Sequence, residues 1–314
     1  MKRVLALLLC LALALGVVSG CAAKNKKDSA IKVIATIYPV YDWVKNIVGD
    51  NENVDVSLLI DNGVDMHSFQ PTAKNITDIS SCDVFIYIGG ESDEWADDVL
   101  HDAVNKDMIA VNLMDELGDS AKKEELAEGM QEENDGVDEY DEHIWLSLKN
   151  AEKLCGVIAE KLGEKDGEHK ADYEKNAKSY CEKLQKLDAS YEKTCSEAKL
   201  DTLIFADRFP FRYLTEDYHL KYYAAFSGCS AESEASFKTL VFLADKLDKL
   251  GGHTLLTIDG SDSKLAESVI DNAKSKDVKT LTINSMQSSV KDGETYLSIM
   301  ESNLSVIKEA LDRE

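Results

Sequence analysis

Short runs of β-branched and aliphatic residues alternate with amphipathic segments twice along this chain, and the two sets are separated by a stretch, residues 168–198, that contains neither Gly nor Pro. Short apolar strands that alternate with helices must be covered on both faces, so each set implies a parallel sheet flanked by helices. In the first set, strand-like runs fall at residues 32–37, 54–60, 84–89 and 108–112, with a helical pattern at 40–48. In the second, runs at 203–207, 222–226, 254–259 and 278–283 alternate with helical patterns at 237–250 and 264–273, and a helix over 293–311 closes the chain. The stretch between them is dense in Glu, Lys and Ala, all good helix formers. Its residues Tyr173, Ala177, Tyr180, Leu184, Leu187 and Tyr191 recur at spacings of three and four, which draws an apolar stripe down a helix about 45 Å long. A dimeric coiled coil would also use such a stretch, but the spacing is not a strict heptad. The fold expected is therefore α/β, with lobes at 30–167 and 199–314 joined by one long rigid helix at 168–198.

The first residues read as an address. Lys2 and Arg3 precede an apolar run over residues 4–18, too short to span a bilayer and of the right size for a secretory signal. Residues 1–21 are thus expected to be a signal peptide, and the polar stretch 22–29 a tether. Over the whole sequence, 35 Lys and Arg stand against 59 Asp and Glu, a formal charge of −24 that repels phosphate backbones and argues against a nucleic-acid partner. Cations are the ligands such a surface attracts.

The acids are not evenly spread. Residues 116–142 hold twelve of them against two lysines, with almost no aromatic residues, which predicts a loop and a weak cation trap that runs directly into His143. The cysteines behind the leader, Cys82, Cys155, Cys181, Cys195 and Cys229, are odd in number and have no metal-ligand spacing. They read as small buried hydrophobes, and Cys181 and Cys195, about 21 Å apart along one helix, are too distant to bridge.

Two of the six histidines sit in unusual settings. His67 lies in Asp65-Met66-His67-Ser68-Phe69-Gln70-Pro71-Thr72, and His143 in Asp141-Glu142-His143-Ile144-Trp145-Leu146. Both follow acids at strand-to-helix connections, where open α/β sheets bind ligands, and a pair of imidazoles with carboxylates suits Zn²⁺ or, with more oxygen, Mn²⁺. His101, His169, His219 and His253 carry no such context and read as surface residues.

These two segments, with Val33-Ile34-Ala35-Thr36-Ile37-Tyr38-Pro39-Val40 and the strand at 83–90 with Trp95 after it, resemble the zinc or manganese solute-binding lipoproteins of bacterial ABC importers. The likeness runs through nearly the whole chain after the leader. Val18-Ser19-Gly20-Cys21 resembles the lipobox of such lipoproteins, which implies a lipid on Cys21 and a protein tethered to the outer face of the cytoplasmic membrane. The resemblance also makes His67 and His143 two metal ligands. The family's third ligand, a His or Glu five residues before a Tyr, falls on Arg208 when counted back from Tyr213, and a guanidinium cannot bind a cation. Asp207 beside it is the substitute expected, with Glu232 or Glu234 as alternates. A fourth ligand, an acid at a strand end, is matched by Asp259, with Asp262 as its alternate.

The function expected is a lipid-anchored, monomeric receptor that holds one Zn²⁺, or alternatively Mn²⁺, between two lobes and passes it to a cognate ABC permease. A stiff linking helix implies a small closing motion, and protonation of the imidazoles implies weaker binding in acid. A second reading makes Arg208 the anchor of an anionic metal chelate. A zinc hydrolase is the third, but no His-Glu-x-x-His motif, Gly-x-Ser-x-Gly elbow or phosphate loop is present, so the chain is not expected to be an enzyme.

Overall fold

The computed structural model describes residues 30–60, 63–130, 139–230, 234–287 and 290–312. The expected signal peptide, tether and Cys21 lie outside these residues, as does Glu232. The first lobe runs β1 (Ile31–Ala35), α1 (Tyr38–Val48), β2 (Val54–Leu58), α2 (Ala73–Ser81), β3 (Val84–Tyr87), α3 (Trp95–His101), β4 (Ile109–Asn112), α4 (Leu113–Leu117) and α5 (Leu148–Lys165). Its four strands are all parallel, in the order β2-β1-β3-β4. Alternation along each strand divides the side chains between two faces. Val33, Ala35, Val84 and Ile86 enter the central core with α1 and α5, whereas Ile34, Phe85 and Tyr87 pack against Ile79 of α2 and Ala96 and Val99 of α3.

The chain then forms α6 (Lys170–Glu197), a helix of 28 residues, at the place where Gly and Pro are missing from the sequence. Its buried stripe is Tyr173, Ala177, Tyr180, Leu184, Leu187, Tyr191 and Cys195. The second lobe follows as β5 (Thr202–Phe209), α7 (Arg212–Asp217), β6 (Lys221–Ser227), α8 (Phe237–Leu250), β7 (Thr254–Ile258), α9 (Lys264–Asn272), β8 (Lys279–Ile283) and α10 (Tyr296–Leu311). Its sheet, β6-β5-β7-β8, is again wholly parallel and repeats the connectivity of the first. Ile204, Ala206 and Leu255 face α8 and α9, while Phe205, Leu256 and Ile283 join the central core.

That central core is continuous through both lobes, because α6 lies along it and bonds to each. Tyr180 Oη donates to Asp42 Oδ2 on α1 at 3.2 Å, and Tyr191 Oη donates to the Met300 carbonyl on α10 at 2.6 Å. Direct bonds add to this. Trp145 Nε1 donates to the Ser285 carbonyl at 2.8 Å, and Tyr296 Oη donates to the Trp145 carbonyl at 2.7 Å, both buried. Tyr296 also meets Trp43 edge to face, ring centroids 5.3 Å apart. The described part of the acid-rich stretch, irregular from residue 121 on, is laid across both lobes. Lys123 and Tyr140 form an antiparallel bridge, Lys122 N donates to Tyr213 Oη at 2.8 Å, and Glu128 pairs with Lys246 at 2.9 Å.

The Tyr296 hydroxyl is the most exposed to test, since its removal leaves the Trp145 carbonyl buried without its donor. Tyr296→Phe is expected to lower stability by about 1–3 kcal/mol, the cost of one unsatisfied buried polar group, read from urea unfolding. An unchanged midpoint would show that this bond does not hold the lobes together.

Candidate metal centre

Both sheets point the carboxyl ends of their strands at the same cleft, and the loops leaving those ends carry the polar side chains. After β2 the chain makes a 3₁₀ turn, Met66–Ser68, capped by Asp65, whose Oδ1 accepts from the His67 amide at 3.0 Å. Before α5 a second such turn, Ile144–Leu146, is buried throughout, and His143 immediately before it has no exposed surface. Asp141 Oδ1 accepts from both the His143 amide, at 2.8 Å, and its Nδ1, at 2.9 Å. His67 Nδ1 is matched to Ser92 Oγ at 2.8 Å, and Ser92 N donates to Glu142 Oε1 at 2.8 Å. With an oxygen on each Nδ1, the two Nε2 atoms are left to face one another, 3.2 Å apart. Two nitrogens on one tetrahedral zinc, each about 2.0–2.1 Å from it, stand about 3.3 Å apart.

The second lobe completes the enclosure with residues that sequence reasoning missed. Gln287 places its amide nitrogen 2.9 Å from His67 Nε2 and 2.6 Å from His143 Nε2, on the point where both lone pairs converge. Its Oε1 is buried without a hydrogen-bond partner. A half-turn of that amide would put an oxygen where the nitrogen stands. The turn that aims it is strained: Met286 adopts a left-handed φ of 60°, held by Asn284 Oδ1, which accepts from the Met286 amide at 2.7 Å. Cys229 enters from the end of β6. Gly228 before it lies so close to His143 that a Cβ there would come within 2.9 Å of the imidazole Cε1 and of the Phe209 carbonyl. Among the described residues, two sets of ligand atoms converge within 4.8 Å of one another: His67, His143 and Cys229, and Glu124, Asp141 and His143.

The acids expected from the second lobe are in neither set. Asp207 spends its carboxylate on main chain, accepting from Arg208 N at 2.9 Å and Ile258 N at 3.1 Å, and burial pushes it above the ordinary carboxylate range. Asp259 Oδ1 accepts from Ser285 N at 2.6 Å and Ser285 Oγ at 2.8 Å, which steadies the turn carrying Gln287. Asp262 is exposed and paired with Lys264, and Glu234 is exposed on the cleft wall. Arg208 crosses the cleft to Asp65, Nη2 to Oδ2 at 2.7 Å. Burial raises the Asp65 pKa, but the guanidinium outweighs it and holds the carboxyl below its usual range. The cleft onto which His67 opens has a volume of about 910 Å³ and is also lined by Asp65, Asp207, Arg208, Glu234 and Asp259.

The comparisons with known proteins agree on one family. The sequence pattern of the family described as zinc-uptake complex component A, periplasmic, matches residues 33–310. The zinc-binding lipoprotein AdcA of Streptococcus pneumoniae is 32% identical over 299 residues, which cover 94% of this chain and 58% of that protein. The chain thus spans little more than half the length of its streptococcal relatives. The high-affinity zinc uptake system protein ZnuA of Bacillus subtilis is 29% identical over 309 residues, covering 94% of this chain and 93% of the relative. Among solved structures, the Zn(II)-bound ZnuA-like domain of the pneumococcal AdcA superposes with a TM-score of 0.72 at 30% identity, over 90% of this chain and all of that one.

His67 carries a pH signature. Burial, then the neighbouring His143 and Arg208, hold its pKa well below the ordinary 6.5, against a weaker opposite pull from Asp65. Unfolded, the ring takes up a proton near 6.5; folded, it does so only in much stronger acid. Between those values the unfolded state binds the extra proton, so this group's contribution to stability falls as pH falls. The metal-free wild type is therefore expected to lose stability relative to His67→Gln as pH is lowered from 7 to about 4, measured by paired urea titrations. A difference that stays constant across that range would refute the assignment.

Proposed function

This chain belongs to the family of zinc-uptake complex component A, and we propose that it is the extracytoplasmic receptor of an ABC importer, capturing Zn²⁺ between its lobes and surrendering it to the permease. The observation that carries this is the imidazole pair. His67 and His143 present their Nε2 atoms to one point at zinc-like spacing, with each Nδ1 oriented by an oxygen. Oriented tautomers of this kind are what ligating histidines require. We assign His67 and His143 to the metal directly, and Asp207 and Asp259 to holding the wall opposite, in keeping with the backbone groups they bind. The chemistry is capture and release, not catalysis.

Zinc is favoured over manganese because the inward-facing atoms are nitrogen and sulfur, whereas manganese prefers an oxygen-rich shell. The binding of a bare ion, not an anionic chelate, is supported by the commitment of Arg208 to Asp65. In this reading Cys21 carries the lipid and the protein acts as a monomer at the outer face of the cytoplasmic membrane. The name lipoprotein given to relatives supports the anchor, and among the described residues no helix is long and apolar enough to cross a membrane.

Calorimetric titration of the chelator-stripped protein with Zn²⁺ and with Mn²⁺ tests the reading. One zinc per chain is expected, bound more tightly than manganese. His67→Ala combined with His143→Ala is expected to lose more than the roughly 10–100-fold in affinity that removal of a merely supporting group costs. Zinc binding that survives the double substitution would overturn the site.

A further inference from the structure

We infer that Cys229 is the third protein ligand of the metal, so that the site is a His₂Cys set with the side chain of Gln287 closing its fourth side. The inference rests on the zinc-receptor reading and specifies which atoms do the binding. Its first support is position: the ligand atoms of His67, His143 and Cys229 lie within 4.8 Å of one another, although they come from loops at residues 67, 143 and 229 and from both lobes. Two nitrogens and a sulfur around tetrahedral zinc, with Zn–N of about 2.0–2.1 Å and Zn–S of about 2.3 Å, need separations of about 3.3–3.6 Å. The set therefore has to contract by no more than about 1.5 Å.

The second support is the approach. Gly228 admits the β6 end against the His143 ring only because it has no Cβ, which would fall 2.9 Å from Cε1. Third, an independent group is aimed at the same point: Gln287 is 7% exposed, its amide faces both Nε2 atoms, and its Oε1 has no partner. Fourth, the two second-lobe positions where the third ligand is expected are already engaged. Arg208 is bound to Asp65, and Asp207 to two backbone amides. Among the described residues Cys229 is the second-lobe member of the converging sets, its thiol and amide held in place by Glu124.

A neutral thiol is a poor ligand, so binding must replace the S–H bond with S–Zn and send the proton to solvent; the charge of the ion drives this, as a coordinating thiol is deprotonated outright. Thiolate in the set also sharpens the preference for zinc over manganese, because Mn²⁺ is held by harder oxygen ligands.

X-ray absorption on the full chain, reduced and loaded with one Zn²⁺, tests this. The expected fit contains one sulfur at about 2.3 Å beside nitrogen or oxygen at about 2.0–2.1 Å. Cys229→Ser is expected to lose that sulfur and to weaken zinc by at least the roughly 10–100-fold seen for lost supporting groups. Substitution by Co²⁺ supplies a second readout: a sulfur-to-cobalt charge-transfer band in the wild type, absent from Cys229→Ser and retained in Cys181→Ser. Should Cys229→Ser fold poorly, alkylation of the wild type decides instead, with zinc expected to protect the Cys229 peptide. A shell of nitrogen and oxygen alone, or a serine variant that matches the wild type in spectrum and affinity, would overturn the inference while leaving the receptor reading intact. Failure of the chain to bind zinc at all would remove both.

Discussion

The whole arrangement depends on the buried hydrogen bonds that fix one lobe against the other around Trp145. Its indole donates to the Ser285 carbonyl, and its own carbonyl accepts from Tyr296, so one residue next to the first lobe's buried histidine is tied twice to the second lobe. Ser285 stands two residues before Gln287, and Trp145 two after His143. Displacement of the lobes by an ångström would therefore separate the groups that converge on the metal point. Buried bonds of this kind resist such displacement because breaking one strands a polar group away from water, at about 1–3 kcal/mol. The long helix α6 extends the same constraint by bonding to α1 through Tyr180 and to α10 through Tyr191. Bonds of this kind oppose a wide swing of the lobes and leave side chains and loops as the parts free to adjust.

The loops are built for that. His143 is wholly buried and yet surrounded by groups that are incompletely satisfied: Gln287 Oε1 and Glu142 Oε2 both lack a hydrogen-bond partner, and Met286 sits in a left-handed conformation. Each is a local cost, and all lie within one shell around the histidine pair. Strain and unmet polar groups concentrated at one place mark a site that gains when something enters it. A cation accepting the Nε2 lone pairs would turn the amide and relieve one of those orphaned oxygens.

Most of the scaffold is legible in the sequence because it rests on local rules. β-Branched runs at regular spacing gave all eight strands within a few residues, and the absence of Gly and Pro marked α6. The settings of His67 and His143 are legible for a related reason, since each lies two residues after an Asp, and Asp65 and Asp141 do accept from the amides of the histidines that follow them. Gln287 and Cys229 are not legible in this way. A glutamine in a Ser-rich turn reads as surface, and a lone cysteine after a strand reads as packing; what singles them out is a left-handed Met286 and a missing Cβ at Gly228, which only the folded chain reveals. Asp207 and Asp259 illustrate the converse. A carboxylate at a strand end can serve the neighbouring backbone as readily as a ligand, and here both do.

Arginine at the cleft would ordinarily repel a cation, and its neutralisation by Asp65 bears on what the site can admit. The pair spans the cleft between residues 65 and 208 at 2.7 Å, so the positive charge of Arg208 is cancelled two residues from His67. On the other side Glu124, Asp141 and Glu142 crowd His143, and burial raises the pKa values of Glu124 and Glu142, since an isolated buried charge is unfavourable. A divalent ion would supply the counter-charge these acids lack without needing to touch them, raising affinity through the field and leaving the contacts to softer atoms. Attraction and selection are thereby divided. In the proposed receptor the acids would draw a divalent cation inward, and the nitrogen and sulfur atoms at the centre would decide which one is held.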